Sequence, residues 1–184
     1  MAATILINRL TGAGPTQTNI TSVNTRGSTS DNPYTTETTN PIPIPTAGTN
    51  FSYWLVTQLN CTALPTGTVD AIKWYTDGTN SFGTGVACKV ATANVYDQAG
   101  GTTGTTGTEL TVANYGNGTT DLDGAPVDAF GKTSAAPLSV TGSVTSAGST
   151  GLFADRVVYQ YGVISTASPG TTIQETISWQ YDET

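Results

Sequence analysis

Apolar and polar side chains alternate with a period of two along most of the chain, the pattern of strands that bury one face or both. The longest run starts at Phe51: Phe51, Tyr53, Leu55, Thr57, Leu59 and Cys61 share one face, and Trp54, Val56, Gln58 and Asn60 share the other. The turn residues Leu64-Pro65-Thr66-Gly67 end it. Val69 to Tyr75 predicts a second strand, with Ile72 and Trp74 opposite Ala71, Lys73 and Tyr75, closed by the turn signal Asp77-Gly78. A third is expected from Gly85 to Tyr96, where Val86, Cys88 and Val90 alternate with Ala87, Lys89 and Ala91. Further strands are expected at Thr4 to Leu10, Glu109 to Ala113, Leu138 to Thr145 and Asp155 to Ser165. The last run is the most regular, with Ile173, Glu175, Ile177, Trp179 and Tyr181 on one face and Gln174, Thr176, Ser178, Gln180 and Asp182 on the other. Roughly seven or eight strands separated by turns predict an all-β protein, an antiparallel β-sandwich of jelly-roll or immunoglobulin-like type.

Two stretches break the alternation. From Thr11 to Asn50 the chain is dominated by Thr, Asn, Gly, Ser and Pro. Within it, Pro41-Ile42-Pro43-Ile44-Pro45 fixes φ near about −65° at alternate positions, which forbids helix and favours extended polyproline II. Residues 1–50 are therefore expected to form an N-terminal strand and an extended Pro/Thr-rich arm, and residues 51–184 the β-sandwich domain. On that division, deleting everything up to Gly48 leaves the sandwich folded. Ile42 and Ile44, bulky side chains set between prolines, suit a docking arm better than a free linker. The second stretch, Gly100 to Gly107, is a low-complexity Gly/Thr run expected to stand outside any packed element.

Composition sharpens the fold class and narrows the partners. Threonine makes up about a fifth of the 184 residues, and 21 are Gly. Good helix formers are scarce, and the branched Thr side chain suits a half-exposed strand. The net charge of −7 reflects only six Lys and Arg against 13 Asp and Glu. Phosphate recognition needs a basic stripe, so no nucleic-acid partner is expected. The start MAATILINRL lacks a basic region followed by a long apolar one, and the chain has no long apolar run, so neither an export signal nor a membrane span is expected.

The chain contains no histidine, which excludes Ser-His-Asp and Cys-His catalysis and His-ligated zinc, and two cysteines cannot make a Cys₄ site. Cys61 and Cys88 could pair as a disulfide, which their separation alone does not decide, but they sit in expected strands and read more readily as free, buried core residues. Asp121-Leu-Asp123-Gly124 with Asp128 resembles the start of a calcium loop, but Lys132 stands where a bidentate Glu is required, so it reads as a solvated acidic turn. Glu109 and Glu175 are the one carboxylate pair that could be offered for glycoside hydrolysis, and the scarcity of Glu argues against it. The patterns at Asn19, Asn50, Asn60 and Asn117 match N-glycosylation acceptors as a consequence of Thr- and Asn-rich composition. No catalytic, metal-binding or cofactor-binding residues are expected, and no cofactor.

Asp155-Arg-Val-Val-Tyr159-Gln-Tyr161 carries the spacing of an immunoglobulin F strand with Tyr161 in the cysteine's place, and Cys61 precedes Trp74 by a B-to-C interval. Trp74 and Trp179 fall on apolar faces and read as core. Trp54, Tyr75 and Tyr96 remain as exposed aromatics, suited to an interface. With Pro41, Ile42, Pro43, Ile44 and Pro45 they make up the expected contact residues.

Two segments carry a resemblance to a known class. Asp70-Ala-Ile-Lys-Trp-Tyr-Thr-Asp-Gly-Thr-Asn-Ser-Phe-Gly-Thr-Gly-Val86, and the ending from Tyr161 through Thr-Ala-Ser-Pro-Gly to Ile177-Ser-Trp-Gln-Tyr-Asp-Glu-Thr184, resemble virion structural proteins of tailed bacteriophages. The resemblance implies a non-enzymatic virion component made in the host cytoplasm. A fibre would show repeats and a sheath or tube a larger chain, so the expectation is a capsid decoration or auxiliary protein on the capsid surface. It would bind the major capsid protein, other virion proteins and copies of itself as a homo-oligomer, with no membrane or nucleic-acid partner. The competing expectation is a tail- or fibre-associated receptor- or carbohydrate-binding module with Trp54 and Tyr75 in a shallow groove.

Overall fold

The computed structural model describes residues 2–32, 38–116 and 120–184. The chain opens with β1 (Thr4–Thr11), β2 (Thr16–Asn19) and β3 (Thr49–Phe51), followed by the long strands β4 (Leu55–Ala63), β5 (Thr68–Thr76) and β6 (Val86–Ala93). Short elements come next: β7 (Gly101–Thr102), β8 (Thr106–Gly107), β9 (Val127–Asp128) and a 3-10 turn, Ala129–Gly131. The remainder is β10 (Leu138–Ser139), β11 (Val144–Thr145), β12 (Gly151–Leu152), β13 (Arg156–Ile164) and β14 (Ile177–Glu183). The protein is nearly all β, with antiparallel sheets stacked as a sandwich. The wide sheet runs β2-β1-β4-β13-β6-β9, with β12 beside β4 and β3 beside β13. The narrow sheet is centred on β5, with β14 along one side and β10 and β11 along the other.

The wide sheet buries both of its faces, so its central strands are apolar on both sides. Leu55, Leu59 and Cys61 of β4, Cys88 and Val90 of β6, and Val157 and Tyr159 of β13 pack inward against Val69, Ile72 and Trp74 of β5. Val56, Ala91, Ala93 and Val158 point the other way, into a second core with Tyr53, Trp54, Leu110, Tyr115 and Leu122. Residues 94–116 and 120–123 fold back over this outer face. Tyr115 packs on Trp54 with ring centroids 5.4 Å apart and planes tilted by 55°, and Trp54 Nε1 donates to the Asp97 carbonyl at 3.2 Å. The aromatic pair thus buries its area while its polar handle is satisfied.

The single strand expected from Phe51 to Cys61 is broken between β3 and β4. The Ser52 N–H donates to the Tyr161 carbonyl at 2.9 Å, the Ser52 hydroxyl accepts from the Tyr161 N–H at 3.0 Å, and the Tyr53 N–H donates to Ser28. This side-chain substitution into the ladder reverses the face of Tyr53, which joins Trp54 in the outer core. A bulge in β5 acts similarly: Gln180 pairs with Lys73 and Asp182 with Asp70, so Ala71 and Ile72 together face Tyr181. Val69 and Ile72 both reach the core as a result. Ala71 takes φ 51° to make the bulge.

Several expectations need correction. Trp54 is buried, at 3% exposure, because Tyr115 and Leu110 cover it from far along the chain. Glu109 to Ala113 and residues 171–176 are not strands, and Leu138 to Thr145 is two short strands on β5. Gly100 to Gly107 contains the β7–β8 hairpin, and Gly107 packs so closely on the Ser52 backbone that a Cβ there would overlap it. Cys61 and Tyr161 lie in one sheet, whereas immunoglobulin B and F strands lie in opposite sheets. β1 pairs with β4 from Thr4 to Leu10, and Leu10 is core, so truncation up to Gly48 would strip two strands from the wide sheet. Cys61 and Cys88, by contrast, are free and buried as expected.

Gln160, 1% exposed, ties the break to the covering segment: its Nε2 donates to the Ser52 and Thr108 carbonyls at 2.7 Å each, and its Oε1 accepts from the Leu110 N–H at 2.6 Å. Gln160→Leu would leave three backbone groups without these partners and is expected to cost about 3 kcal/mol or more in urea denaturation. A loss below about 1 kcal/mol would show that the clamp is dispensable. Ala71→Gly is expected to stabilise by up to about 1 kcal/mol by relieving the positive φ; a destabilised variant would contradict the bulge assignment.

Candidate functional site

The narrow sheet cannot cover the inner face of the wide one. Near the start of β14 the uncovered face forms the floor of a cleft of about 1010 Å³. Ile7 of β1, Thr57 of β4, Val86 of β6 and Tyr159, Tyr161 and Val163 of β13 face it, and Ile177 and Trp179 of β14 form one side. Two segments outside the sheets complete it: residues 20–27 and residues 167–176. They are joined where Gln174 Nε2 donates to Asn24 Oδ1. The polar rim includes Thr21, Thr25, Arg26 and Gln174, while Ile42 and Ile44 of the Pro-rich segment extend the apolar lining.

Each wall is held by identifiable contacts. The Ile20 N–H donates to the Ile7 carbonyl at 2.8 Å, which pins the first segment to β1. Gly27 lies flat on the Tyr161 ring, leaving no space for a Cβ. The Thr25 hydroxyl is 3.5 Å from the Tyr159 phenol. The second segment is tied by Glu175, whose carboxylate accepts from the Ser81 N–H. Its Ile173 is 69% exposed at the cleft, far more than the hydrophobic effect favours for a large aliphatic group in an isolated chain.

The expected contact residues divide. Ile42 and Ile44 are half-buried in the cleft and Pro41 is exposed beside them; Pro43 and Pro45 are half-buried, and the Pro43 carbonyl accepts from Asn50 Nδ2 at 2.9 Å. The Pro-rich segment thus lies against its own sandwich: the Thr29 N–H donates to the Asn40 carbonyl at 2.9 Å, and the Thr29 hydroxyl bonds Asn40 and Pro41. Trp54 is in the outer core, and Tyr75 is half-buried on the outer face of the narrow sheet, so the structure does not bring them into one groove. Tyr96 is half-buried, its hydroxyl donating to the Gly12 carbonyl at 2.8 Å. Sequence reasoning missed Trp179, Tyr161, Val23 and Ile173 as cleft residues. The signal for Ile173 was present in its alternation with Ile177, but it was read as strand.

The candidate carboxylates are separate. Glu109 pairs with Lys89 at 2.8 Å and lines a different groove from Glu175. Asp128 caps the 3-10 turn, its Oδ1 accepting from the Phe130 N–H at 3.1 Å. Among the described residues no group of three or more His, Cys, Asp or Glu side chains is placed to hold a metal ion. The Asn117 glycosylation pattern lies outside the described residues, and no helix is long and apolar enough to cross a membrane. Comparison with protein-family models, with curated proteins and with solved structures gives no match.

Burial, with a contribution from the Asp128 carboxylate, pushes the Cys88 thiol from 9.0 up to about 12, and burial raises the Tyr159 phenol as well. Both groups hold their protons longer in the folded chain than in the unfolded one. Their stabilising contribution is therefore complete below about pH 9 and is lost as pH rises toward about 12. Thermal melts should show a falling Tm from about pH 9 upward, with the Cys88 thiol inert to thiol reagents until the protein unfolds. A Tm level to about pH 11 would contradict this, as would rapid labelling of Cys88 in the folded protein.

Proposed function

We propose that the chain is a non-catalytic structural protein of a tailed-bacteriophage virion, of the capsid decoration or auxiliary type. It sits on the capsid surface and acts by packing against the major capsid protein, other virion proteins and copies of itself. The observation that carries the reading is the cleft: its aliphatic lining is continuous with the Pro-Ile segment, and Ile173 and Val23, 69% and 48% exposed, stand at its edge. Apolar surface left in water by one chain is a gain in free energy when a second chain covers it. The resemblance of the segments Asp70 to Val86 and Ile177 to Thr184 to virion proteins supports the same reading. Low charge supports it too, since few solvated Lys and Glu side chains would have to be stripped of water on contact. Many repeated weak contacts on a lattice would give tight retention through avidity.

Mass spectrometry of purified virions tests the assignment: copy number near that of the major capsid protein is expected, and a few copies per particle would point to a tail component instead. The doubly substituted Ile42→Asp, Ile44→Asp chain should fold, with both sites only half-buried, and should lose at least about tenfold in particle binding, on the order of 1.4 kcal/mol. Unchanged binding by the folded variant would remove the Pro-Ile segment from the interface.

A further inference from the structure

Period-two alternation runs unbroken from Ile173 to Tyr181, yet β14 begins at Ile177. What residues 171–176 lack is a partner. β14 pairs with β5 alone, β5 ends at Thr76 opposite Ile177, and the backbone of residues 171–176 makes no hydrogen bond to described residues. Thr171 to Gln174 are exposed, and Ile173, at 69%, is the most exposed large apolar side chain among the described residues. Two side-chain contacts, Gln174 with Asn24 and Glu175 with Ser81, hold the segment without satisfying its main chain. Thr and Ile favour strand, so residues 171–176 have the composition and pattern of a strand and want only a ladder.

Sheets that stay apart end in short strands, or in strands guarded by Lys or Pro. The other strands that end the two sheets, β2, β9, β10 and β11, have four residues or fewer. β14 has seven, its outer edge is unpaired among the described residues, and no Lys, Pro or Gly occurs from Thr171 to Glu183. We propose that this edge, residues 171–183, pairs antiparallel with the same edge of a second copy of the chain about a two-fold axis at Ile177, joining two narrow sheets into one. The sequence is self-complementary in that register. On the inner face Ile173 stands opposite Tyr181 of the second copy, and Ile177 opposite itself; on the outer face Gln174 meets Gln180 and Thr176 meets Ser178. Charge selects the orientation. Glu175, Asp182 and Glu183 stand opposite Trp179, Thr172 and Thr171, whereas a parallel in-register pair would set each carboxylate against its own copy. The cleft beside Ile173 adds no repulsion, because its described charged residues, Arg26 and Glu175, balance.

This deepens the assembly reading and rests on it for its setting, but its test uses the purified chain, so the two fail separately. Sedimentation of the full chain from about 1 μM to about 1 mM is expected to show a reversible dimer, weak because one strand pair buries little area. Ile173→Lys, at an exposed site, should leave Tm unchanged and weaken dimerisation at least about tenfold. Mild oxidation should cross-link the Ile177→Cys chain across the axis, since the native Cys61 and Cys88 are buried. Gln180→Cys, which in this register faces Gln174, should not cross-link. A chain that stays monomeric throughout would overturn the proposal, even if particles protect residues 171–176 from hydrogen exchange, because the edge would then serve a different virion protein. A dimer insensitive to Ile173→Lys, or one cross-linked by Gln180→Cys and not by Ile177→Cys, would overturn it as well.

Discussion

The constraint on which the structure depends is that β4, β6 and β13 are apolar on both faces. A sheet with one greasy face needs one cover; this one needs two, and each fully buried large side chain left in water would forfeit roughly 1.5 to 3 kcal/mol. The narrow sheet supplies the inner cover through Ile72 and Trp74, and residues 94–116 and 120–123 supply the outer through Tyr115 and Leu122. An irregular segment can act as a cover only if its backbone polar groups are satisfied. Gln160 serves this need by reaching from β13 to both Thr108 and Leu110, and Tyr115 does the same through its hydroxyl, which donates to the Val95 carbonyl at 3.0 Å.

The same constraint produces the cleft. One cover is a sheet only three strands across, and the wide sheet beneath it is six, so part of the inner face is left to segments that pack less completely. Residues 20–27 and 167–176 carry few hydrogen bonds to the sheets, and they enclose space instead of filling it. A chain of this kind could have placed charged side chains over the gap. It presents Ile42, Ile44, Val23 and Ile173 instead. Apolar area left in water at one place is the feature on which the proposed assembly role rests.

Much of the architecture was legible in the sequence. Period-two alternation located the long strands β1, β4, β5, β6 and β13, and the facing of Cys88, Val90, Ile72 and Trp74 followed from it. It failed where side-chain chemistry alters parity or covers a face from far along the chain. Nothing local in Phe51-Ser-Tyr53-Trp54 announces that Ser52 will take the place of a ladder partner and turn Tyr53 over. Trp54 read as exposed because its cover, Tyr115, lies sixty-odd residues away in a segment with no periodic pattern. The Gly/Thr run up to Gly107 read as unpackable, yet the absence of a side chain is what allows its close approach to Ser52. Ile42 and Ile44 drew notice by their setting between prolines and do line the cleft, while the cleft itself is a mismatch between sheet widths, a property that no local window contains.

The account makes contact across the cleft the basis of the protein's role. Hydrogen–deuterium exchange of the chain, free and bound to purified particles, measures that contact directly. Protection on binding is predicted in residues 20–27, 38–45 and 167–176, with β4 and β13 already protected in the free chain and unchanged. Protection confined to the outer face of the narrow sheet or to segment 94–123, with the cleft segments exchanging as they do in solution, would contradict it.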